Sequence, residues 1–360
     1  MPRVLPRWTV AVPLLALVVL AATWGSKPPG VVLALVGIVL AGAVLAAVHH
    51  AEVVAHRVGE PFGSLVLAVA VTVIEVGLIV TLMVANPEGT TTLARDTVFA
   101  AAMITCNGIV GLSLLARTLR AGRVAEFNAE GTATLLATVA TLATLTLVLP
   151  TFTTSRPGAE FSTAQLAFAG VASIALYALF VFVQTVRHRD YFIPAGAPDD
   201  PDAHADPPSD RTALISVALL VVALVAVVGL AKVESPAIED AVDAAGAPQS
   251  AVGVVIALLV LLPETLAAVR NAVHGRIQTS FNLAFGSAIA SIGLTIPALA
   301  LATIWLDGPL VLGLGSTQTV LLFITVIVAA LTVLPGRATL QEGGVHLALF
   351  AAFLFLAVFP

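Results

Sequence analysis

Long apolar runs alternate with short polar stretches along the whole chain. Runs of about 20 residues are what an α-helix needs to cross the ~30 Å hydrocarbon layer of a bilayer. The pattern predicts spans at 8–24, 30–49, 62–85, 96–118, 129–150, 162–186, 212–231, 249–273, 279–302, 310–334 and 343–359. The tenth is interrupted by Gly313, Gly315, Ser316, Thr317 and Gln318. The first also reads as a signal peptide, with Arg3 and Arg7 ahead of a short apolar core, although Ala22-Thr23-Trp24 is a poor cleavage site. Two stretches read as polar loops. Residues 187–211 carry Asp190, Asp199, Asp200, Asp202, Asp206 and Asp210 with His188 and His204, and residues 232–248 carry Glu234, Glu239, Asp240 and Asp243.

Composition supports the same class. The 360 residues are 59% hydrophobic and 10% charged, where a soluble domain carries roughly 25% charged residues. The single cysteine, Cys106, excludes an internal disulfide and offers no metal-thiolate spacing. With the N-terminus inside, twelve arginines fall in cytoplasmic segments, while Lys27, Arg95, Arg156 and Lys232 fall outside. This positive-inside bias predicts a cytoplasmic N-terminus, an external C-terminus and a multi-pass protein of the plasma (inner) membrane. The expected fold is therefore all-α. One N-terminal helix (1–29) precedes a five-helix repeat (30–186), an acidic cytoplasmic loop (187–211) and a second five-helix repeat (212–360).

Two acidic residues depart from the rule that charges fall in loops or at helix ends. Glu75 sits about thirteen residues into its span, roughly 20 Å along a helix, and Glu264 lies at similar depth. An ionised carboxylate there costs at least ~2.5 kcal/mol, so it must face the bundle interior, a watery cavity or a partner. Glu75 lies in the third span and Glu264 in the eighth. Five spans apart, the two helices run in opposite directions, as in inverted repeats. Each is followed by a span rich in small and polar residues, the first with Asn107 and the second with Asn282, Ser287 and Ser291. Pro263 and the Gly/Ser-rich ninth span suggest discontinuous helices whose freed carbonyls can ligate a cation. Burial favours the protonated carboxyl and a nearby cation favours the ionised one, so such a pair holds protons or a cation in competition. That competition is the minimum physics of antiport. Ca²⁺ takes six to eight oxygen ligands. Glu75, Glu264, Thr72, Asn107, Asn282, Ser287 and Ser291 are the candidate set, with Glu75 and Glu264 also binding the protons.

The stretches HHAEVVAHRVGEPFGSLVLAVAVTVIEVGLIVTLM and LLPETLAAVRNAVHGRIQTSFNLAFGSAIASIGLTIP resemble the two α-repeats of the calcium/cation antiporter superfamily. Within it the chain is similar to the bacterial calcium/proton and sodium(potassium)/proton antiporter branch. The resemblance implies that Glu75 and Glu264 are the central cation- and proton-binding carboxylates, and that the two halves alternate access around them. It implies export of Ca²⁺ in exchange for H⁺, with Na⁺(K⁺)/H⁺ exchange as the alternative. Many members carry Gly-Asn-Ala before the key Glu. Here Val71-Thr72-Val73 and Val260-Leu261-Leu262 stand there instead, so the Asn ligand is missing and Ca²⁺ is not fixed over Na⁺ or K⁺.

Other features are weighed against plainer roles. Glu60, at the start of the third span, is either an acid in a first helical turn or a cation-attracting entrance group. His49, Glu52 and His56 share a helical face, a pattern for a metal or pH-sensing site that is more often a solvated turn. An intramembrane hydrolase would need a Ser/His, Asp/Asp or His-Glu-x-x-His arrangement, and His346 stands alone in the last span. No catalytic activity and no cofactor is expected. The expected partners are inorganic cations, protons and membrane lipid, with no nucleic acid, the chain acting as monomer or homo-oligomer.

Overall fold

Among the described residues, the regular structure is helical apart from a two-stranded ribbon. The computed structural model describes residues 6–26, 28–59, 62–85, 91–121, 124–193, 208–305 and 309–360. Glu60 and most of the acidic loop 187–211 lie outside them. We number the helices α1 (Arg7–Thr23), α2 (Gly30–Val58), α3 (Phe62–Ala85), α4 (Leu93–Arg120), α5 (Ala129–Phe152), α6 (Thr163–Arg187) and α7 (Asp210–Ala244). Then follow α8, broken into Ser250–Val260 and Leu262–Val273, α9 (Ile277–Ala302), α10 (Ser316–Val333) and α11 (Leu340–Val358).

Among the described residues, nine helices are long and apolar enough to cross a membrane, ten when broken α8 is counted as one. The eleventh expected span is α1. Its 17 residues reach roughly 26 Å, near the lower limit for spanning. The outer surfaces fit a lipid environment. Phe168, Val171, Ile174, Leu179, Phe182 and Val186 of α6 are all exposed, a stripe that water would not tolerate.

Three boundaries differ from expectation. Helix α2 runs on to Val58, so His49, His50, Glu52 and His56 lie on its last turns rather than in a solvated turn. Helix α7 continues past Lys232 through Pro236 to Ala244, so the expected external loop at 232–248 is mostly helix. Helix α10 starts at Ser316, not 310, because residues 309–315 are extended. That stretch satisfies its backbone sideways. Gly313 N–H donates to Ala159 O (3.0 Å), Leu314 N–H to Leu147 O (2.8 Å), and the Thr151 hydroxyl to Leu314 O (2.7 Å). A Cβ on Gly313 would meet Thr151 Oγ1 at 2.5 Å, so only glycine fits.

The chain forms two compact units, one of residues 1–90 and 198–246, the other of 91–197 and 247–360. This division cuts across the sequence halves, since each unit draws helices from both. In the first, α7 packs along α2 and also against α1 and α3. Its glycines set the spacing, because a Cβ on Gly77 would lie 2.8 Å from Val228 and one on Gly229 2.5 Å from Leu20. Arg57 of α2 and Asp210 of α7 form an exposed ion pair at one end. In the second unit α4 is nearly enclosed. Gly111 and Gly343 let α4 and α11 approach closely, and the ribbon pairs Ala125 with Ala338 and Glu126 with Arg337.

Candidate cation site

Glu75 belongs to the first unit. It lies on α3, a helix whose remaining residues are uncharged, and it is 3% exposed. Gly77, two residues on, brings α3 against α7, where a Cβ would lie 2.8 Å from Val228. Thr72, one turn before Glu75, is also buried. Its hydroxyl donates to Ala68 O at 2.8 Å, leaving the oxygen lone pairs as acceptors for a cation.

Glu264 belongs to the second unit and sits at a break. The two halves of α8 meet at 52° around Leu261, as the proline predicts. Pro263 has no N–H for the carbonyl one turn earlier, and its ring crowds that carbonyl. Glu264 occupies the first turn of the second half, Leu262–Val273. There the N-terminal end of the helix dipole favours negative charge. The side chain is half-buried, unlike the enclosed Glu75.

The helices that follow each glutamate span are not broken. Each instead contains a π-helical stretch, Ile104–Ile109 in α4 and Ser291–Thr295 in α9. An extra residue per turn disturbs the ladder of backbone hydrogen bonds, and such bulges are frequent at functional sites. Asn107 and Ser291 both lie in these stretches and are buried. Composition signalled looseness here, but a wider turn and a break look alike in sequence.

The hydrogen bonds of the candidate ligands within the second unit are specific. Asn107 Nδ2 donates to Thr325 Oγ1 (2.9 Å), and its Oδ1 is 3.1 Å from Nδ1 of His346. His346 Nε2 lies 3.1 Å from the Thr332 hydroxyl. His346 thus joins α4, α10 and α11 in a buried network; it does not stand alone. Asn282 points elsewhere. Its Nδ2 donates to the carbonyl of Phe192 (2.6 Å), and its Oδ1 accepts from Gln278 (2.9 Å). Gln278 Oε1 in turn accepts from the Asn128 backbone at 2.7 Å. Asn282 therefore ties α9 to the 3-10 turn Arg189–Phe192 that follows α6. Ser287 is half-buried, one turn before Ser291.

The remaining candidates separate cleanly. His50 is fully buried, its Nε2 bonded to Thr9 O at 2.8 Å, and His49 lies 6.0 Å from Trp8. These contacts pin α1 to α2, and no group of three or more His, Cys, Asp or Glu side chains able to hold a metal occurs among the described residues. Two buried acids were missed in sequence. Asp96, 3% exposed, accepts hydrogen bonds from Thr92 (2.8 Å), Arg95 (2.8 Å) and Gln318 (3.0 Å). Its place near a span end disguised its burial. Glu234 is 7% exposed on α7.

The chain resembles known proteins over nearly its whole length. The sequence profile of the family described as sodium/calcium exchanger protein matches residues 29–186 and 215–359. The putative ionic transporter y4hA of Sinorhizobium fredii is 46% identical over 99% of this chain and 97% of its own length. The sodium-potassium/proton antiporter ChaA of Escherichia coli is 36% identical over 95% and 93%. The solved structure of native YfkE shares the fold at a TM-score of 0.72 and 16% identity, covering 98% of this chain and 99% of that one. Profile, relatives and fold agree, and the chain belongs to the sodium/calcium exchanger protein family of the calcium/cation antiporter superfamily.

Proposed function

We propose that this cation exchanger moves a metal cation against protons, with Glu75 and Glu264 binding both in turn. The observation that carries the reading is Glu75, a carboxyl 3% exposed in the middle of an otherwise uncharged apolar helix. A group so placed is stable when protonated or when paired with a cation, and unstable as a bare anion. Loading a cation therefore expels a proton, and the reverse step returns it. Glu264 does the same at the mouth of a half-helix, where the dipole lowers the cost of the ionised state. Thr72, Asn107, Ser287 and Ser291 are the further oxygen donors. Asn282, bonded to Phe192 and Gln278, contributes only where those bonds open.

Two readings of the cation rest on different observations. Na⁺ or K⁺ is favoured by the full-length relative named as a sodium-potassium/proton antiporter and by the absence of Asn before each glutamate. Ca²⁺ is favoured by the charge of two carboxylates, which matches a divalent ion that takes six to eight oxygens. We further propose alternating access, a cytoplasmic N-terminus and residence in the plasma (inner) membrane.

Liposomes holding purified protein, an imposed proton gradient and an internal pH dye test both readings. Collapse of the gradient on adding Na⁺ or K⁺ supports the first, and collapse with micromolar Ca²⁺ supports the second. In the same assay E75Q and E264Q each reduce exchange to the level of empty liposomes. A glutamine variant that exchanges at the wild-type rate sinks the site assignment. No response of the wild type to any cation removes antiport itself.

A further inference from the structure

The end of α7 carries an acid that the exchange reading leaves unused. Glu234 is 7% exposed, and its Oε1 is enclosed with no hydrogen-bond partner among the described residues. Neighbouring side chains on the same helix are engaged elsewhere. Lys232 places Nζ 5.2 Å from the centre of the Trp24 ring, and the Ser235 hydroxyl donates to Glu239 at 3.0 Å. The Glu234 carboxyl turns toward α2, where a Cβ on Gly37 would lie 4.0 Å from Oε2.

Among the described residues, the surroundings hold little charge to compensate it. The ionisable residues on the helices packed against α7 are Arg7 on α1, His49, His50, Glu52, His56 and Arg57 on α2, and Glu75 on α3. Those of α1 and α2 belong to the opposite end. Thr9 bonds His50 there, and Arg57 pairs with Asp210. His49 is twelve residues beyond Gly37, roughly 18 Å along the helix. Glu75 is the one ionisable group on α3, and Lys232, Glu239 and Asp240 are the nearest on α7. No basic group forms an ion pair with Glu234 among the described residues. A buried anion without a cation or donor is strongly disfavoured. One carboxyl facing a glycine also supplies too few oxygens for a metal ion. A proton is the ligand that suits the place.

We propose that Glu234 is a separate proton-binding group at the Gly30 end of the first unit, exchanging a proton during the transport cycle. Its role in the cycle rests on the antiport reading, whereas its protonation does not. Two measurements divide the claims. Dicyclohexylcarbodiimide adds to protonated carboxyls in apolar surroundings: the acid proton passes to a carbodiimide nitrogen, and the carboxyl oxygen bonds to the central carbon. Purified full-length protein treated at neutral pH should carry the adduct on the Glu234 peptide, seen by mass spectrometry, with labelling that declines in strong alkali. An unlabelled Glu234 overturns the proposal whatever the transport result. In proteoliposomes, E234Q should move the pH of half-maximal exchange by about one unit, and E234D should restore it. A uniform fall in rate at every pH, or an unchanged profile, overturns the role in the cycle and leaves Glu234 as packing. A wild type that exchanges nothing defeats the antiport reading instead, and the labelling result still stands.

Discussion

Glu75, Asp96 and Glu234 are three acids of nearly equal burial and different chemistry. Asp96 is held by a hydroxyl, a guanidinium and an amide, so its charge is compensated and its role is to fasten the start of α4. Glu75 was legible in sequence because nothing else in its run is charged. Asp96 and Glu234 were not, because depth in sequence misjudges depth in structure near a helix end. The Asn107–His346 pair was illegible for another reason. Its members are 239 residues apart, and no pattern of spacing links them. The network fixes His346 with Nδ1–H donating to Asn107 and Nε2 accepting from Thr332. H346A leaves the Asn107 and Thr332 oxygens buried without that partner, at a cost of about 1–3 kcal/mol. A lowered midpoint in a thermal scan of the detergent-solubilised protein is the expected result, with an unchanged midpoint counting against the bond.

The helices were mostly readable as elements, and where they were misjudged the backbone explains why. Pro263 announced the bend in α8, since it lacks an N–H and its ring crowds the preceding turn. The acidic residues at 232–248 suggested a loop, yet α7 continues past Pro236 to Ala244. At 309–315 the apolar letters suggested helix, but glycines at 313 and 315 allowed an extended strip bonded to α5 and the following turn. At the π-helical stretches small and polar residues signalled looseness, but composition does not tell a wider turn from a break. Replacing Pro263 with alanine should straighten α8 and pull Glu264 into a continuous helix. The expected outcome is a protein that elutes as a single species yet exchanges at least about tenfold more slowly, as mispositioning of a site group commonly costs. Wild-type turnover would show that the bend is not needed. Elsewhere in the second unit, Gly131 lies against the backbone of Tyr191. There, hydrogen bonding to Glu130, and then its charge, raise the Tyr191 phenol above its usual range. G131A forces the 3-10 turn outward and should destabilise the protein by about 1–3 kcal/mol, read as a lower melting midpoint.

At the scale of the whole molecule, the class was plain from charge content, and the family from two glutamate-bearing stretches. What the sequence order hid is the grouping, since α1–α3 join α7 rather than α4–α6. Orientation is directly measurable. Cys106, the single cysteine, is buried, so replacing it with alanine gives a background for labelling. A cysteine at Ser209 should react with a membrane-impermeant maleimide only after the cells are opened, and one at Pro157 should react on intact cells. The reverse pattern would invert the topology.

The grouping of α1–α3 with α7 also sets a timetable. Ribosomes deliver about 5–20 residues per second, so the roughly 120 residues between Thr90 and Asp210 take on the order of 6–24 s to emerge. Throughout that interval Glu75 sits in an inserted helix whose glycine at 77 has not yet met Val228. The newborn protein must therefore hold the Glu75-bearing helix in the membrane before α7 arrives to pack on it, and quality-control proteases have that window in which to act. Chains arrested before α7 should be degraded faster than chains arrested just after it.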